Sequence, residues 1–101
     1  MKLLERIKVS KDQTMCVYQL SEEQSKRSGG QFVLTHREYS DSNIRQYGEL
    51  RIVSELRDHA YEGVFQTQKE AYLQAKLVAM KHQIDYVKTH FKGIHLDDIN
   101  W

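Results

Sequence analysis

The stretch Thr67-Gln68-Lys69-Glu70-Ala71-Tyr72-Leu73-Gln74-Ala75-Lys76-Leu77-Val78-Ala79-Met80-Lys81-His82-Gln83-Ile84-Asp85-Tyr86-Val87-Lys88-Thr89-His90-Phe91-Lys92-Gly93 decides the fold. It opens on a capping box, in which an N-cap Thr67 and Glu70 three residues later satisfy each other's orphan backbone donors. Residues 68 to 92 contain neither Gly nor Pro, and Gly93 stands where a C′ glycine ends a helix. One long helix over 67–92 is predicted. Its apolar residues Leu73, Leu77, Met80, Ile84, Val87 and Phe91 step by 4, 3, 4, 3 and 4, which is heptad spacing. Beside this seam runs a small row, Ala71, Ala75 and Ala79, which permits close approach to a sheet or another helix.

Upstream, the pattern changes to that of strands. Residues 2 to 10 alternate from Glu5 onward, with Ile7 and Val9 on one face and Arg6 and Lys8 on the other. Lys11-Asp12-Gln13 reads as a tight turn. Residues 14 to 20 are apolar on both faces and read as a more central strand, antiparallel to the first. Residues 31 to 37 read as a third strand, broken by the polar run from Tyr39 to Asn43. Residues 60 to 66 alternate and read as a last strand. Between the second and third strands, Ser21 to Gly30 is polar and ends Ser28-Gly29-Gly30, the most flexible-looking segment. Ser21-Glu22-Glu23-Gln24 fits a capping box, so a short, marginal helical turn is the alternative there.

Residues 44 to 60 support two readings. Gly48 to Val53 alternates like a strand, whereas Leu50, Val53, Arg57 and Ala60 approximate a helical face. Gly48 and the β-branched pair Ile52-Val53 favour the strand, with Arg57-Asp58-His59 as its turn. The junction Phe65-x-Thr67-x-x-Glu70-Ala71 resembles the end of many small bacterial and prophage-encoded domains, and the resemblance implies a strand leading into a helix. The expected fold is α+β: a small antiparallel sheet of four or five strands over 1–66, one long helix over 67–92 packed on one face, and a tail over 93–101.

Composition places the chain among globular single domains. It has 101 residues, 40% hydrophobic and 29% charged, with a formal net charge of +1. A dedicated nucleic-acid binder usually carries a basic excess, so near-neutrality removes that argument. Cys16 is the one cysteine, so no intrachain disulfide forms; it lies in the apolar run Met15-Cys16-Val17-Tyr18 and reads as a buried small hydrophobe. No window is long and apolar enough to span a membrane, and the N-terminus lacks a secretory pattern, so a cytoplasmic location without membrane contact is expected. His36, His59, His82, His90 and His95 fit no metal-ligand spacing, and no nucleophile elbow, phosphate loop or dinucleotide glycine pattern occurs. No metal, cofactor or catalytic residue is therefore expected.

Length points to association. A helix of about 25 residues is roughly 37 Å long, whereas strands of six or seven residues span about 20–24 Å. The helix should overhang its sheet, carrying Ile84, Val87 and Phe91, whose burial is worth on the order of 5 kcal/mol. The tail could cover them with Leu96, Ile99 and Trp101, or Trp101 could anchor in a partner's groove. The favoured expectation is a non-catalytic accessory protein acting through protein contact, first of all by self-association through the C-terminal helix as a homodimer, or else with another protein partner. Its interface would be Met80, Ile84, Val87, Phe91 and Trp101. The alternative is a nucleic-acid-binding regulator with Arg6, Lys8, Lys26 and Arg27 on phosphates, supported by Arg37, Arg45, Arg51 and Arg57 interleaved with Tyr39 and Tyr47.

Overall fold

The computed structural model describes residues 1–56 and 63–90, the last five by their backbone alone. Among the described residues, four strands form one antiparallel sheet in the order β1-β2-β3-β4: β1 Lys2–Lys8, β2 Thr14–Gln19, β3 Phe32–Thr35 and β4 Gly63–Phe65. The helices are α1 Glu22–Ser28, α2 Asp41–Tyr47, α3 Glu49–Leu56 and α4 Gln68–His90. The chain is thus α+β with a long C-terminal helix.

The alternation read in the sequence sorts the side chains onto two faces. Ile7, Val9, Met15, Val17 and Leu34 lie on one, packed with Ala71, Ala75 and Val78 of α4 and edged by Phe32 and Phe65. Cys16, Tyr18, Leu20 and Val33 lie on the other, packed with Tyr39 and with Ile52, Val53 and Leu56 of α3. β2 is apolar on both faces because it is covered on both. Pairing runs Ile7↔Met15 and Lys8↔Thr14 at one end of the β1–β2 pair and Lys2↔Gln19 at the other, with a bulge between Leu3 and Glu5.

The second helical layer corrects two expectations. The strand expected within residues 44–60 is absent: Glu49–Leu56 is helical, and α2 precedes it. Ser40 caps α2 by accepting from the Asn43 N–H at 3.1 Å, so the polar run that looks like a simple strand break is a helix start. Ile52, Val53 and Leu56 then fall on one helical face and bury against the sheet, and that packing outweighs the strand preference of Ile52 and Val53. Residues 57–60 of the same reading, with its Arg57-Asp58-His59 turn, lie outside the described residues, as do residues 60–62 of the last strand.

The Ser21–Gly30 segment is likewise a two-turn helix. Ser21 Oγ accepts from the Gln24 N–H at 3.2 Å, and Gly29 closes the C-terminus with φ 77°, a conformation other residues adopt only with strain. Tertiary contacts hold this short element. Ser21 Oγ donates to Glu49 Oε2 at 2.6 Å, and the α-amino group of Met1 pairs with the same carboxylate. Gly30 lets the chain pass against β4: a Cβ there would lie 2.6 Å from Val64 Cγ1 and 2.7 Å from the Phe65 carbonyl oxygen.

Candidate functional site

α4 begins as its capping residues require. Thr67 Oγ1 accepts from the Glu70 N–H at 3.1 Å. The helix presents its small row to the sheet: Ala71 and Ala75 are fully buried and Val78 nearly so, with Ala79 and Tyr72 partly covered. At 100° per residue, the heptad seam lies roughly half a turn round the helix from this row. The exposures follow: Leu73 is 50% exposed, Leu77 53% and Met80 56%. Ile84, next in the seam, is half-buried.

Helix length alone suggests that the first half of the seam packs on the sheet, but Leu73, Leu77 and Met80 do not. From Leu73 to Met80 the seam faces away from the sheet. Leu73 and Leu77 therefore join Met80 and Ile84 as candidate contact residues, and they are the ones that length alone misses. The signal was present in the alanine row, which lets backbones pack closely and claims the sheet-facing side. Val87 lies on α4, but its side chain, like Phe91 and Trp101, is outside the described residues.

The basic residues of the alternative reading are not gathered into one field. Arg6 pairs with Glu38, Lys26 Nζ lies 3.7 Å from Glu22, and Arg27 Nη2 lies 2.9 Å from Glu23. Lys8 is exposed at the Thr14 end of β1, whereas α1 follows the Gln19 end of β2. The two groups are thus separated by a strand length, roughly 18–20 Å. A different grouping does converge. Arg37 stacks 4.8 Å above the Tyr39 ring and Arg51 5.1 Å above Tyr47, around a cleft of about 210 Å³ that Glu55 also lines. Arg51 Nε donates to Glu55 Oε1 at 3.3 Å, so part of that positive charge is already matched.

Cys16 is buried, and burial pushes its thiol pKa up, so it stays protonated and is a poor nucleophile. His82 Nε2 lies 3.2 Å from Gln13 Oε1, linking α4 to the β1–β2 turn. Among the described residues, no three His, Cys, Asp or Glu side chains form a metal-holding group, and no helix is long and apolar enough to cross a membrane. Comparison with protein-family models, with curated proteins and with solved structures finds no match to this chain.

Proposed function

We propose that this protein is a non-catalytic, cytoplasmic accessory protein that works by binding protein along the outer face of α4. The observation that carries this reading is the exposure of Leu73, Leu77 and Met80 at heptad spacing, on the side of a helix whose other side is already packed. A helix apolar on two opposite sides is suited to lie between two partners. The sheet is one; the second is the proposed function. Covering three half-exposed side chains of this size stabilises a complex by roughly 2–4 kcal/mol before the costs of association. The seam as proposed runs from Leu73 through Met80 and Ile84 towards Val87 and Phe91.

The double substitution Leu77→Gln with Met80→Gln tests it, since Gln keeps helix propensity and removes the apolar surface. Circular dichroism should be unchanged, while association, read by light scattering for self-assembly and by fluorescence anisotropy for apolar helical peptides, is lost. Retention of every wild-type association by this variant would show that the seam is not the contact surface. The nucleic-acid reading has less support, because Arg6, Lys26 and Arg27 each face a carboxylate.

A further inference from the structure

The flanks of the seam select among the partners that it could accept. Numbering the heptad with Leu77 at a and Leu73 and Met80 at d places Lys69, Lys76 and Gln83 at g. Gln74 and Lys81 fall at e, so no carboxylate flanks the seam at e or g among the described residues. Glu70 falls at a, one turn before Leu73 at the N-terminal end of the helix, where a carboxylate favours the positive end of the helix dipole. Lys69 and Lys76 are exposed, and the Lys76 ammonium lies 5.1 Å over the Tyr72 ring, which leaves its charge in place on the seam's edge.

A second copy is a poor electrostatic match for this surface. In a parallel pair, g meets e of the partner five residues on, which sets Lys69 against Gln74 and Lys76 against Lys81, neither of them a carboxylate. In an antiparallel pair, the g row meets itself, setting Lys69, Lys76 and Gln83 against the same residues. Neither arrangement sets an e or g carboxylate against Lys69 or Lys76, and opposed like charges suppress pairing.

Resting on the proposed function, we infer that the occupant of the α4 seam is an amphipathic helix of another protein, apolar at a and d and acidic at its flanking positions. Asp or Glu there would meet Lys69 and Lys76 while the partner's apolar stripe covers Leu73, Leu77 and Met80.

Two synthetic 28-residue peptides test this, both with Leu at a and d, one with Glu and one with Lys at every e and g. Fluorescence anisotropy measures their binding to the full chain at low and moderate salt. The Glu-flanked peptide should bind about tenfold more tightly at low salt, with the gap narrowing as salt rises. Lys69→Glu with Lys76→Glu, both on the exposed flank, should reverse the preference. Equal binding of the two peptides, or binding of neither, overturns the inference. So does a salt-insensitive dimer of the wild type that Leu77→Gln with Met80→Gln converts to monomer, since the occupant is then a second copy while the proposed function stands. Tight Glu-peptide binding that this seam variant leaves intact places the contact elsewhere and removes the proposed function along with the inference.

Discussion

Tyr18 and Glu49 each connect parts of the chain distant in sequence. The Tyr18 hydroxyl accepts from the Tyr39 N–H at 2.8 Å and lies 3.3 Å from the Tyr39 carbonyl oxygen, in a buried setting. Tyr18→Phe keeps the ring and strands that N–H, so stability to urea should fall by about 1–3 kcal/mol. No sequence pattern marks this pair, because the two residues stand 21 apart and meet only when the chain after β3 turns back onto the sheet face that carries Tyr18. Glu49 is partly buried, which alone raises its pKa, but hydrogen bonds from the Met1 amine and Ser21 outweigh burial and hold it below the usual carboxylate range. Its contribution to stability is therefore present above about pH 4.3, the ordinary Glu value, and is lost as pH falls through the depressed folded value. Glu49→Gln should lower stability at pH 7 by about 1–2 kcal/mol. Urea midpoints should show the gap from wild type closing below about pH 4.

At the scale of elements, α4 has two apolar sides with different tolerances. Ala75→Leu adds volume where the helix touches the sheet and should cost about 1–3 kcal/mol. Leu77→Gln, two residues away on the outer side, should change the stability of the isolated chain by no more than about 0.5 kcal/mol. Thermal or denaturant melts of the two variants separate the faces directly. β1, β2 and β3 are legible because one or both of their faces follow the period of two, and α4 because its cap and spacing are intact. α2 and α3 are not, since Ile52 and Val53 favour strands locally and only the sheet beneath them makes the helix worthwhile. The orientation of α4 was half legible: both rows are in the sequence, but which one faces the sheet depends on how near the strands lie. Three alanine-sized contacts let the helix sit closer than leucines would.

For the whole molecule, the sheet is covered on both faces, so its remaining route to unwanted association is sideways. β1 is at one edge of the strand order, seven residues long, with backbone groups that could template another chain. The bulge between Leu3 and Glu5 interrupts the regular hydrogen-bond spacing such a template needs, and Lys2, Arg6 and Lys8 space positive charge along the same strand. Straightening that bulge would turn a guarded border into a growth face for fibrils, a hazard separate from any pairing through helices.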